Sequence, residues 1–187
     1  MIKIMFICHG NICRSPMAEF ILRDMVEKQG RANDFYIESS ATSYEEIGNP
    51  VHYGTKGILD RLGISSKGKR AVHLERSDYD KYDYLICMDS ANVRNTLRIV
   101  GDDPEEKVYK LLEFAGLNSD VADPWYTGNF DVTYDDIVEG CEGFLAHLKT
   151  PSLSWLFVPN IKSSSLKPML YLIKGKLPQP MLASSFF

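Results

Sequence analysis

The chain has no uninterrupted apolar run of about 18 residues, so it offers no candidate for a membrane-spanning helix. Basic residues never occur more than two in a row and the formal net charge is −4, which removes the electrostatic footprint of a nucleic-acid binder. The opening Met1-Ile2-Lys3-Ile4-Met5-Phe6-Ile7 lacks a basic stretch followed by a long apolar segment, so no secretory signal is expected. Cysteine is scarce, at four of 187 residues (Cys8, Cys13, Cys87 and Cys141). That excludes a disulfide-built scaffold and points to a reducing, cytoplasmic setting in which thiols are free or reactive. The four histidines (His9, His52, His73 and His147) are scattered, and no His, Cys or Asp set has metal-ligand spacing, so neither a metal nor any other cofactor is expected.

Acidic residues are missing from one part of the chain altogether. All 25 lie before position 151, whereas residues 151–187 hold Lys162, Lys167, Lys174 and Lys176, five of the nine prolines and a Ser163-Ser164-Ser165 run. This break divides the sequence into a domain over 1–150 and an atypical Pro/Ser-rich basic tail over 151–187. The tail reads as disordered or loosely attached. What remains is ordinary for a globular protein: 44% apolar and 25% charged residues, enough to bury one sizeable core.

Along residues 1–150, strand and helix patterns alternate. Residues 2–7 form a near-continuous apolar run, as in a strand buried on both faces of a parallel sheet. Residues 16–29 read as a helix with Ser15 as N-cap, Pro16 at its first position and Gly30 just past its end. Strands follow at 35–40, 84–88 and 108–111. Helices follow at 53–62, at 91–100 behind Ser90 as a cap, and from 133 to about 148. The economical architecture is an α/β, flavodoxin-like three-layer fold, with a central four-stranded parallel sheet covered by helices on both faces. In such folds the ligand sits beyond the carboxyl ends of the strands, where residues 8–15 fall.

That segment reads Cys8-His9-Gly10-Asn11-Ile12-Cys13-Arg14-Ser15-Pro16. A strand that turns through a short loop into a helix start aims backbone N–H groups, and the positive end of the helix dipole, at one point. Gly10 and Asn11 are the residue types that most readily take the positive φ such a curl requires. Arg14 supplies a planar fork for two phosphate oxygens. Cys8 starts the loop, so its sulfur lies on the floor of the cradle, where positive surroundings favour the thiolate. Together these residues have the makings of a site that attacks phosphorus.

The loop resembles the phosphate-binding loop of the low-molecular-weight protein tyrosine phosphatases. So do Cys87-Met88-Asp89 after a strand, Asp123-Pro124-Trp125-Tyr126, Ser39-Ser40-Ala41 and Gly63-Ile64. The resemblance covers about residues 1–149 and leaves the tail unmatched. It implies hydrolysis of phosphotyrosine in proteins or peptides through a phosphocysteine intermediate. Cys8 would be nucleophile, Arg14 the phosphate and transition-state ligand, and Asp123 the general acid and then base. Gly10, Asn11, Ile12, Cys13 and Ser15 would form the substrate-binding loop, and Trp125 and Tyr126 would wall a flat aromatic group. Inorganic phosphate would be product and inhibitor, with no nucleic-acid or membrane partner. Cys13 matches a loop cysteine that can trap an oxidised nucleophile as a disulfide, whereas Cys87 and Cys141 read as core.

Two departures stand out. Lys69 occupies the position where many members have a histidine that bonds the loop asparagine, which leaves the orientation of Asn11 open. On the pocket wall an aromatic Tyr44 competes with Glu45, and an acidic wall would alter which phosphopeptides bind. Three other readings remain: a protein arginine phosphatase, which relatives achieve with Thr where this chain has Ile12; a thiol-coupled arsenate reductase, which needs a further cysteine pair; and an inactive phosphate-binding module.

Overall fold

The computed structural model describes residues 1–149. The expectations for 151–187 therefore lie outside the described residues. Four parallel strands, β1 (Ile2–Cys8), β2 (Phe35–Ala41), β3 (Tyr84–Cys87) and β4 (Val108–Lys110), form one sheet in the order β2-β1-β3-β4. β1 is central because its apolar run can be buried on both faces. The α-helices of the described residues are α1 (Arg14–Lys28), α2 (Tyr53–Arg61), α3 (Asp78–Lys81), α4 (Ser90–Val100), α5 (Pro124–Thr127) and α6 (Phe130–His147). Ile4, Phe6 and Cys8 enter one core with α1 and α6. Met5 and Ile7, pointing the other way, pack with Leu74, Tyr79, Leu85, Cys87 and Val100, the last from α4 (Ser90–Val100). This is the expected three-layer α/β fold, with helices on both sides of the sheet. β1 pairs with β2 on one side and β3 on the other, so the strand order reverses there and opens a crevice at their carboxyl ends. Among the described residues no helix is long and apolar enough to cross a membrane.

Helix starts differ from the sequence reading because capping side chains are drawn elsewhere. α1 begins at Arg14, with Cys13 in the N-cap position and no side-chain cap, and Pro16 is its third residue. Ser15 is inside the helix and does not cap it. At α4 the cap is Asp89, not Ser90: its Oδ1 accepts from the Asn92 N–H at 2.6 Å. α6 starts at Phe130, three residues before the expected Thr133, because Asn129 accepts from the Asp131 and Val132 N–H groups. Thr133 instead donates to the Ala122 carbonyl at 2.9 Å, tying the helix to the loop before Asp123. Gly143 permits α6 to lie on the 3-10 turn Leu111–Ala115, since a Cβ there would sit 2.5 Å from the Phe114 carbonyl oxygen. Gly30 follows α1 with φ 68°, as its position past the helix end requires.

Candidate active site

At the end of β1 the Cys8 sulfur is buried and meets two polar partners: the Asn11 N–H at 3.2 Å and the Ser15 hydroxyl at 3.0 Å. Asn11 takes φ 55°, one of two non-glycine residues among those described with positive φ, which curls its amide back onto the sulfur. Its side chain is fully used. Nδ2 donates to Ser15 Oγ at 2.9 Å and Ser39 Oγ at 2.8 Å, and Oδ1 accepts from the Val72 N–H at 3.1 Å.

The direction of these bonds is set from a distance. Glu19, 1% exposed, holds Lys69 at 2.7 Å and Arg23 at 2.9 Å, so it is a carboxylate and accepts from Ser39 Oγ at 2.5 Å. With its proton so committed, Ser39 presents a lone pair to Asn11 Nδ2. The other Asn11 N–H then occupies a lone pair of Ser15, leaving the Ser15 proton for Cys8 Sγ at 3.0 Å in preference to the Ser40 carbonyl at 3.4 Å. Donors thus converge on the sulfur, an arrangement that stabilises negative charge there. The question raised by Lys69 is answered by this chain of bonds. The Val72 backbone orients Asn11, and Lys69 acts three bonds away, through Glu19 and Ser39. The side chains of Asn11 and Ser15 are buried behind the loop and hold its shape, and neither residue is among those lining the cleft.

Arg14 is 4% exposed and sits between two carboxylates, Asp89 at 2.7 Å through Nη1 and Asp123 at 2.6 Å through Nη2. Burial works against its charge, but the surrounding Cys8, Asp123 and Asp89 outweigh it, and the guanidinium is pushed above its ordinary value. Both carboxylates are anchored in turn. Asp89 caps α4, and Asp123 accepts from the Trp125 N–H at 3.0 Å, capping the short helix α5 (Pro124–Thr127). The start of α1 leaves the N–H groups of Arg14 and Ser15 without intrahelical partners, as in an anion-binding helix terminus.

Over the loop lies a cleft of about 220 Å³ lined by Cys8, Gly10, Ile12, Cys13 and Arg14, with Asp123, Trp125 and Tyr126 on one side and Glu45 and Glu46 on the other. Trp125 and Tyr126 are exposed, at 63% and 86%. Glu45 takes the wall position, and His9 Nε2 lies 3.1 Å from its carboxylate. Tyr44 stacks instead on the His73 ring at a centroid distance of 3.7 Å. Burial first, then the charges of Cys8 and Asp123, push the Cys13 thiol up to about 12, so it stays protonated at neutral pH. Cys87 and Cys141 are wholly buried core residues. Among the described residues no group of three His, Cys, Asp or Glu side chains is placed to hold a metal ion. Asp89 and Glu19 escaped the sequence reading as site residues. The signals for Asp89 are its place in Cys87-Met88-Asp89, an element the resemblance already covers, and its position at the carboxyl end of a buried strand directly before a helix.

Residues 3–152 match the model of the family described as low molecular weight phosphotyrosine protein phosphatase. A low molecular weight protein-tyrosine-phosphatase of Bacillus subtilis, YfkJ, is 40% identical over 151 residues, covering 80% of this chain and 97% of its own. Its crystal structure superposes with a TM-score of 0.75 at 41% identity, covering 79% of this chain and 94% of that one. The Staphylococcus aureus enzyme PtpA, of the same description, is 36% identical over 149 residues, 79% of this chain and 94% of its own. A structure of the Streptococcus pyogenes low molecular weight protein tyrosine phosphatase has a TM-score of 0.72 at 39% identity, over 83% and 97% of the two chains. The chain belongs to the low molecular weight protein tyrosine phosphatase family and is a hydrolase of that class.

Proposed function

We propose that the protein hydrolyses phosphotyrosine in proteins by way of a phosphocysteine. The convergence of Cys8, Arg14 and Asp123 on one cleft carries this reading. The Cys8 thiolate attacks phosphorus, and the P–S bond forms as the bond to the tyrosyl oxygen breaks. Asp123, protonated at that stage, gives its proton to the departing phenolate. Arg14 and the helix-terminal amides hold the equatorial oxygens, whose charge must be stabilised along the way. Water then attacks the phosphocysteine while Asp123 takes its proton, and sulfur leaves as thiolate. Released phosphate fits the same cradle and inhibits competitively. The family implies phosphoprotein substrates, and the free cysteines suit a reducing cytoplasm.

Ile12 puts an apolar side chain on the cleft and Trp125 and Tyr126 flank it, which supports a flat aryl phosphate over phosphoarginine. Cys13 lies in the same cleft as Cys8, as a redox partner must. Turnover of phosphotyrosine, phosphoarginine and arsenate, measured side by side with Cys8→Ser, tests the reading. Phosphotyrosine should be the substrate, and Cys8→Ser should lose at least about 10⁴-fold in kcat. A phosphorylated adduct trapped on any residue but Cys8, or phosphate binding without turnover by the unmodified protein, overturns it.

A further inference from the structure

Lys110, the last residue of β4, carries a side chain only 9% exposed, directed at the loop that ends on Asp123. Its ammonium meets three acceptors there: the Asn118 carbonyl at 3.0 Å, the Ser119 carbonyl at 3.4 Å and Asp120 Oδ1 at 3.0 Å. That uses all three of its N–H donors. The same Asp120 oxygen accepts from the Ser90 N–H at 3.2 Å and the Ser90 hydroxyl at 3.1 Å. Ser90 adjoins Asp89, the residue on Nη1 of Arg14. Lys110 therefore sits where the end of the sheet, the acid-bearing loop and the start of α4 meet. Beyond this junction the loop runs on through four further ties before reaching Asp123: the Val121 N–H to the Met88 carbonyl at 2.9 Å, Arg14 Nη1 to the Val121 carbonyl at 3.4 Å, the Ala122 N–H to Asp136 at 2.8 Å and the Thr133 hydroxyl to the Ala122 carbonyl at 2.9 Å. Those four hold residues 121 and 122 without Lys110. What Lys110 adds is the placement of residues 118–120, the stretch that leads into this part of the loop.

We propose that Lys110 is a positioning residue for the general acid, acting through Asn118, Ser119 and Asp120 on the placement of Asp123. The proposal rests on the reading of Asp123 as proton donor. A merely structural lysine would lower activity on every substrate alike, whereas a residue that aims the acid matters most where the leaving group needs a proton. An ester whose anion leaves unaided is indifferent to it.

The test compares kcat/KM, which reports the phosphoryl-transfer step, on phenyl phosphate and 2,4-dinitrophenyl phosphate. Lys110→Met should lose about tenfold or more on phenyl phosphate and less than about twofold on the dinitrophenyl ester. Asp123→Asn should show the same split on a larger scale, and adding Lys110→Met to it should cost less than about a further twofold. Lys110→Arg, which keeps the cation, should recover most of the loss. Equal losses on both esters, full additivity with Asp123→Asn, or unchanged turnover of phenyl phosphate overturns the proposal. If Asp123→Asn itself treats the esters alike, the acid reading falls and takes this one with it. If only Lys110→Met does so, the acid reading stands and the Lys110 link alone is lost. Should circular dichroism show Lys110→Met unfolded, Asp120→Ala, which cuts the exposed end of the junction, carries the same comparison.

Discussion

The two halves of the site are built in opposite ways. The cradle around Cys8 is buried. Asn11, Ser15, Ser39 and Glu19 are each 1% exposed or less, and their bonds reach β1, α1, β2 and the Lys69–Val72 segment. The arm that carries Asp123, Trp125 and Tyr126 lies at the surface and is held by a cap, by Arg14 and by the junction at Lys110. Buried polar groups interact strongly with one another and are costly to leave unpaired; exposed ones are neither. The cradle is thus tied to the stability of the fold, and the arm to the chemistry alone. A nucleophile and its oxyanion ligands gain from fixed geometry, whereas an acid that must serve leaving group and then water needs less of it.

Arg14 is the point at which the comparison breaks most visibly, since it belongs to the cradle and touches the arm. Arg14→Lys keeps the charge but discards the fork that joins Asp89 and Asp123 at 2.7 and 2.6 Å. The expected loss in kcat/KM on phosphotyrosine is about 10²–10³-fold, the scale of a lost oxyanion ligand, together with weaker inhibition by phosphate. A loss below about tenfold in steady-state assays means that a point charge suffices and the fork has no special part.

Lys69 sharpens the stability side. Lys69→Met leaves the Glu19 carboxylate, whose side chain is 2% exposed, with Arg23 as its remaining cation. Removing one partner of a buried pair in this setting costs about 2–3 kcal/mol. For a domain of this size that lowers Tm by roughly 5–10 °C. Adding Glu19→Gln to Lys69→Met should return part of the loss, because the stranded charge goes with it. Asp123→Asn, on the arm, should move Tm by no more than about 2 °C. Calorimetry that finds equal shifts for Lys69→Met and Asp123→Asn removes the distinction between cradle and arm.

How much of this the sequence displayed follows from range. The alternation of strand and helix, the loop after β1 and the positive φ of Asn11 are local matters, and local residue types announced them. Asp89 and Glu19 join the site through partners 75 and 50 positions away in the chain, at Arg14 and Lys69, and no spacing rule marks a lone carboxylate as one that will meet a buried cation. The helix caps failed for a related reason. Ser15 and Ser90 are good capping residues, but tertiary contacts with Cys8 and Asp120 claim their hydroxyls. The pocket wall turned on one residue of register: Tyr44 finds a ring to stack on in His73, and that leaves Glu45 at the cleft.

Glu45 gives the smallest effect and the cleanest view of the exposed side. Its carboxylate is 72% exposed and lies 3.1 Å from the His9 ring, at the rim where residues flanking a phosphotyrosine would pass. A peptide with lysine beside the phosphotyrosine should therefore be cleaved with a kcat/KM about two- to fivefold above that of its glutamate counterpart, the range of a surface ion pair. Glu45→Gln should remove about half of that preference in logarithmic terms, Glu46 supplying the rest from the same wall. Because the charges are solvated, the preference should shrink as salt is raised, while turnover of phenyl phosphate stays level. Peptide selectivity that survives Glu45→Gln and high salt undiminished would place the discrimination on the arm, with Trp125 and Tyr126 reading shape where the rim was expected to read charge.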